Sequence, residues 1–345
     1  MAAALLKEQG YNVVGVYMKN WTKDLPGMSC TWKDDYQDAK RVAVQLGIDF
    51  RVYDFQKQYH QKVVDYMIEQ YKAGRTPNPD IMCNQEIKFR LFLDSATGDG
   101  ADFIATGHYA RIYRAEGKAQ RAELVTAKNK DKDQTYFLYR VSEEALSKTL
   151  FPIGEFKTKA EVRDLAKKLG LATAEKKDSQ GICFVGKVGI RDFLEQYVAA
   201  KQGNIVDQHG VIVGKHDGAI FYTIGQRHGL DVGGGLPYYV VSKDMKKNEV
   251  YVTTDLDDKM LWHNKLKLTD VHWINGQPDV SKKYRVRTRY RAPLVEATLQ
   301  VAPFGTKNFQ KTLQVALSEK IRAITPGQST VIYDGERVVG GGIVV

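Results

Sequence analysis

The sequence predicts an α/β Rossmann-like domain, a small central α+β domain and a C-terminal β-barrel. Three observations carry this reading. Helix and strand signals alternate up to His108, the alternation breaks after Arg140, and from Gly210 onward short β-type runs are separated by Gly, Pro, Asn and Asp. A chain of 345 residues exceeds what one hydrophobic core usually holds. The boundaries are expected at 1–148, 149–205 and 206–345.

The first elements follow from local patterning. AAALLKEQG reads as a helix stopped at Gly10, and YNVVGVYM as a buried strand. Tyr36, Ala39, Val42, Ala43 and Leu46 recur at helical spacing, with Asp34 and Asp35 at the start and Gly47 beyond the end. IDFRVYDF returns as a strand. A helix around Val63, Tyr66, Met67 and Tyr71 stops at Gly74, another follows the loop TPNPD, and ADFIATGHY is again a strand. This is the pattern of a parallel α/β domain, which binds nucleotides at the carboxyl ends of its strands.

In the central stretch, Val162, Leu165, Ala166 and Leu169 share a helical face ended by Gly170, and a second helix is expected from Ile190 to about Ala200. The β runs that follow include VIVG, AIFYTIG, PYYVVS, EVYVTT, LKLTDVHWI, YRVRTRYRAP, VEATLQVAP, TLQVAL and STVIYDGERVVGGGIVV. As a strand, YRVRTRYR would set Arg285, Arg287, Arg289 and Arg291 on one face at intervals of about 6.6 Å. A phosphate backbone would relieve their repulsion, while the ordinary reading is a charged, protected sheet edge.

Composition narrows the function classes. Hydrophobic residues at 43% and charged residues at 27% argue against disorder. No apolar run reaches a membrane span and no signal peptide is legible, so a cytoplasmic protein without a membrane partner is expected. The formal charge of +10 favours a polyanionic partner. Cys30, Cys83 and Cys183 form no CxxC pair, which argues against a zinc site or a disulfide framework. The ordinary reading of each is a small buried hydrophobe, and Cys30 is left there.

TPNPDIMCNQEIKF (76–89), GHYA (107–110), KDQTYFL (132–138), DSQGICF (178–184), FYTIGQRHGL (221–230) and RTRYR occur in an order and spacing that resemble the tRNA-specific 2-thiouridylase (MnmA) family over essentially the whole chain. The resemblance implies a pyrophosphatase-loop ATP-binding domain, a central domain and a tRNA-binding barrel. It also implies a reaction: ATP activates the C2 oxygen of the wobble uridine, and sulfur replaces that oxygen with release of AMP and pyrophosphate. Cys183 would carry the sulfur as a persulfide. Cys83 would be the nucleophilic partner thiol, closing an alternate Cys83–Cys183 disulfide as the sulfur leaves. Asp80 suits general acid–base work or a grip on the base, and its ordinary role would be a helix cap.

Other residues carry over singly. Asn78, Pro79 and Asp80 match the segment that meets the target base, and Met18 and Gly107 match positions lining the adenosine site. His108, Asp133, Gln134, Thr135, Arg289, Tyr290 and Gln328 match tRNA-contacting positions. ATP, with Mg2+ implied by its chemistry but no metal ligand named, is the expected cofactor. The tRNAs for Lys, Glu and Gln, a persulfide sulfur donor and a monomeric state complete the expectation.

The family's SGGVDSS phosphate loop would immediately precede AAALLKEQG, and the sequence given begins inside that helix. This 345-residue form is therefore expected not to turn over ATP. Two other readings stand beside the enzyme: a non-catalytic tRNA-binding protein without its ATP loop, and another adenylating enzyme of the same fold that needs neither Cys83 nor Cys183.

Overall fold

The computed structural model describes residues 1–24, 30–114, 121–176, 189–233, 235–301 and 312–345. The N-terminal elements are α1 (Ala2–Glu8), β1 (Val14–Lys19), α2 (Trp32–Leu46) and β2 (Asp49–Asp54). β1 and β2 pair in parallel, Val14 opposite Asp49 and Lys19 opposite Asp54. Gly47 ends α2 at φ 58°, a left-handed turn that glycine adopts without a Cβ penalty. α3 (Gln56–Tyr59) continues through a π-type turn at His60–Val64 into α4 (Asp65–Lys72), and Gly74 stops the run at φ 77°.

α5 (Pro79–Met82) runs into a π-wound segment, Cys83–Leu91, and then α6 (Phe92–Gly98). The expected strand ADFIATGHY shrinks to β3 (Ile104–Ala105). A hairpin follows, β4 (Ala110–Arg114) and β5 (Ala122–Thr126), then α7 (Glu143–Ser147) and β6 (Thr149–Leu150), which pairs with β3 in parallel. α8 (Lys159–Lys168) is capped by Thr158, whose Oγ1 accepts from Glu161 N, while the Glu161 carboxylate reaches back to accept from Lys157 N. α9 covers Ile190–Leu194, ending well before Ala200.

The β-rich region divides in two. β7 (Gly203–Val206), β8 (Ile212–His216), β9 (Tyr239–Asp244) and β10 (Glu249–Thr253) form one sheet in the order β8-β7-β10-β9. Its core is built on Ile205, Val240, Val250 and Val252, all fully buried. The expected boundary at 205/206 therefore falls inside β7. AIFYTIG is not a strand, because Gly218 N binds the His216 ring and Ala219 N binds Asn248 Oδ1, which turns the backbone into a 3-10 turn at Ala219–Phe221.

β11 (Trp262–Trp273), β12 (Lys283–Arg287), β13 (Val295–Val301), β14 (Leu313–Arg322), β15 (Ser329–Asp334) and β16 (Arg337–Val344) follow. They pair in the order β11-β14-β13-β12-β15-β16, and β16 returns to β11 to close a six-stranded barrel. Leu268, Val286, Val315 and Ile332 fill its interior. The β4–β5 hairpin of the first domain joins this barrel sheet along β16. Tyr136 and Tyr139, fully buried, bind Ser329 O at 2.8 Å and Ser329 Oγ at 3.0 Å. The first domain is thus fastened to the barrel by both backbone pairing and buried hydroxyls.

The arginine row is corrected. β12 ends at Arg287, and Arg291 adopts φ 63°, so only Arg285 and Arg287 share a strand face and the row of four is broken. Arg285 donates to Gly335 O, and Arg287 lies over the Tyr333 ring, 3.7 Å from Asp133. Arg289 turns inward onto the carbonyls of Ile224 and Ala323 at 3.0 and 2.8 Å. Arg285, Arg287 and Arg289 thus each meet a different group within the fold.

Candidate active site

The Asn78–Cys83 segment is shaped by its own sequence. Pro79 occupies the first helical turn, where its missing N–H costs nothing, and Asn78 is extended at φ −114°. Asn78 Oδ1 accepts from Asp80 N at 3.1 Å and Ile81 N at 3.4 Å, so Asn78 rather than Asp80 caps the helix. The Asp80 carboxylate makes no hydrogen bond or ion pair among the described residues. Burial pushes its carboxyl above the ordinary range, and the Lys88 ammonium pulls it back. Cys83, one turn on, is only 4% exposed.

Below Cys83 the helix is clamped in place. Asn84 Nδ2 donates to Phe137 O at 3.0 Å, and its Oδ1 is buried without a partner. Gln85 binds Arg140, whose guanidinium also reaches the Asp270 carboxylate at 2.8 Å. The barrel therefore helps to hold the helix that carries Cys83.

His108 packs between Phe89 and Phe151, with ring centroids 5.7 and 5.9 Å away. Its Nδ1 lies 2.7 Å from Thr106 Oγ1. Burial first, and Lys88 second, hold His108 well below the ordinary imidazole range. The folded protein keeps this ring neutral where the unfolded chain would protonate it. Stability is therefore expected to fall as the pH drops below about 6.5, because the unfolded state then binds the extra proton. Urea unfolding at about pH 7 and about pH 5 checks this: His108→Gln should flatten the slope, and an unchanged slope would assign the acid sensitivity elsewhere.

The residues expected to meet tRNA are gathered around this turn, several in internal roles. Asp133 is buried, accepting from Ala127 N at 2.9 Å and Thr135 Oγ1 at 2.8 Å. Burial raises its carboxyl above the ordinary range, against the pull of those hydrogen bonds and of Arg287. Gln134 exchanges hydrogen bonds with the Tyr109 backbone, N to O at 2.8 Å and N to Oε1 at 2.9 Å, which ties it to His108. The Tyr290 ring stands 4.5 Å from Phe137, and Gln328 Nε2 donates to Thr76 O at 2.8 Å. Barrel loops thus brace the entry to the Asn78 turn.

Met18 lies half-buried in β1, and Gly107 is exposed with open space where a Cβ would point. At the carboxyl ends of β1 and β2, a cavity of about 380 Å³ is lined by Asn20, Trp21, Lys23, Gln56 and His60. Asn20 Oδ1 is buried there without a hydrogen-bond partner, a polar demand compatible with a nucleotide at the strand ends. Among the described residues no group of three metal-ligating side chains occurs, no disulfide is formed and no helix is long and apolar enough to cross a membrane. Cys183 lies outside the described residues, so its separation from Cys83 is not defined.

Lys88 escaped the sequence reading. So did the π winding that positions it, for which the sequence carries no signal beyond the helix itself.

Three family models match consecutive stretches: a tRNA methyl transferase HUP domain over residues 1–187, a tRNA methyl transferase PRC-barrel domain over 191–254 and an aminomethyltransferase beta-barrel domain over 263–344. The tRNA-specific 2-thiouridylase MnmA of Bacillus subtilis (strain 168) is 45% identical over 349 residues, spanning 100% of this chain and 91% of the relative. The Bacillus licheniformis protein of the same name is 46% identical over 350 residues, with the same coverage. That of Bacillus cereus (strain ATCC 14579) is 45% identical over 343 residues, covering 99% and 90%.

Proposed function

Because the chain belongs to the tRNA-specific 2-thiouridylase family, we propose that it replaces the C2 oxygen of the tRNA wobble uridine with sulfur. The observation that supports this reading is the Asn78–Cys83 turn, in which half-buried Asp80 and buried Cys83 stand one helical turn apart. A thiol and a carboxylate held together away from bulk water suit displacement at a carbonyl carbon that water would otherwise regenerate.

ATP supplies the activation that makes the uridine oxygen a leaving group. Met18 and Gly107 would hold its adenosine. Asn78, Pro79 and Asp80 receive the extruded base, whose unstacking is offset by contacts in the pocket. Asp80 moves a proton at the base, and Cys183 carries the sulfur as a persulfide. The Cys83 thiolate attacks the inner sulfur of that persulfide, and hydrosulfide leaves toward C2. The C2–S bond forms as the C2–O bond breaks with AMP departing. The resulting Cys83–Cys183 disulfide then accepts two electrons from an external thiol reductant.

The basic chain, acting as a monomer in the cytoplasm, would take tRNAs for Lys, Glu and Gln, with Mg2+ accompanying ATP. His108, Asp133, Gln134, Thr135, Arg289, Tyr290 and Gln328 would contact or shape the tRNA path. Radiolabelled persulfide, ATP and unmodified tRNA test the reading: label should enter tRNA as 2-thiouridine. Retained tRNA binding without label incorporation, with this chain and with a form extended by an N-terminal phosphate loop, would favour the binding-protein alternative.

A further inference from the structure

The helix that carries Cys83 is not wound as an ordinary α-helix. Cys83–Leu91 has π-type bonding, in which each turn takes more residues than the 3.6 of an α-helix. Five positions therefore bring Lys88 back toward the Cys83 side, where α-winding would have carried it well around the helix. Within the segment, Phe89, one residue on, leaves helical geometry at φ −103° and ψ 15° and kinks the helix, and the Phe89 ring packs on His108.

The other cations on this helix surface are already engaged. Arg90 lies 3.2 Å and Lys62 4.0 Å from the Glu86 carboxylate, and Arg140 serves Gln85 and Asp270. Lys88, half-buried, makes no ion pair or hydrogen bond among the described residues. Its field is nevertheless felt by both Asp80 and His108, favouring the charged carboxylate in one and the neutral imidazole in the other. A half-buried lysine without a fixed partner keeps its ammonium available to a charge that develops nearby.

Resting on the proposed sulfur-transfer reading, we infer that Lys88 is the positioning cation of this pocket, held by the π-wound helix so that its ammonium supports the negative charge of the Cys83 thiolate beside Asp80. Asp80 alone would oppose a second negative charge one turn away. Lys88 offsets that repulsion, and neutral His108 leaves the ammonium uncontested. The thiol proton passes to solvent, and no covalent partner is required.

The test needs neither tRNA, ATP nor sulfur transfer, so it fails separately from the functional reading. In the full chain carrying Cys30→Ser and Cys183→Ser, Cys83 is the sole thiol, and its alkylation by iodoacetamide is followed by intact mass as a function of pH. Lys88→Met should move the rate–pH profile upward and slow alkylation about tenfold near pH 7, with Lys88→Arg restoring most of the rate. Thermal melting of each variant accompanies the profile. An unmoved profile in folded Lys88→Met, or in Lys88→Gln should the first variant not fold, overturns the inference. Failure of both variants to fold also overturns it, by making Lys88 a structural residue.

Discussion

Cys83→Ser is expected to bind tRNA with unchanged affinity and to transfer sulfur at least about 10³-fold more slowly than the parent chain, if at all. A serine hydroxyl is almost entirely protonated near neutral pH, whereas sulfur chemistry needs the thiolate. The substitution exchanges one atom at a site only 4% exposed, so the helix from Asn78 onward should keep its cap and its packing. Loss of activity with a shifted melting transition would therefore point to the fold. Loss at an unchanged transition would point to the thiol. Single-turnover transfer of labelled sulfur, read beside filter binding of the same tRNA, makes the distinction. Full activity in Cys83→Ser would remove Cys83 from the reaction and revive the reading of another adenylating enzyme.

Asp80→Asn is expected to lower sulfur transfer by about 10³-fold while making the fold more stable at neutral pH. The opposite signs share one cause. Burial raises the Asp80 carboxyl in the folded state, so the folded protein holds the proton more tightly than the unfolded chain. Stability then decreases as the pH rises from the ordinary carboxylate range near 4 through the raised folded value, and the full cost of the buried charge is present above it. Asparagine never ionises and avoids that cost. The melting temperatures of the two chains should converge at about pH 3, where both side chains are neutral, and separate near pH 7. A variant equally stable at both pH values would remove burial of the charge as the source of its tuning.

How far this site was legible depended on how local its causes are. Asn78, Pro79, Asp80 and Cys83 could be named from the sequence, but TPNPD read as a loop with the helix after it, whereas the helix already starts at Pro79 with Asn78 as its cap. The cap was assigned to the wrong side chain as its ordinary role, since Asp and Asn are both good caps and only the backbone angles distinguish them. His108 could be named but its neutrality could not, because that follows from Phe89 and Phe151, brought from either side of it in the chain. Asp133 was read only as a tRNA-contacting position, and the fold also makes it an internal acceptor for Ala127 and Thr135 with Arg287 3.7 Å away.

The sequence by itself determined the helices that end at Gly47, Gly74 and Gly170, the parallel β1–β2 pair and most of the barrel strands. Periodicity and glycine stops are written residue by residue, within the reach of one or two turns. Tertiary structure alone decided that β4–β5 extends the barrel sheet, that β12 stops before Arg289, and that the Cys83 helix winds as a π segment. Each of those outcomes accompanies partners far away in the chain: β16 for the hairpin, the Ile224 and Ala323 carbonyls for Arg289, and Phe137 and Arg140 for the helix. A buried polar group must find its hydrogen bond wherever folding delivers one, and that demand overrides local pattern.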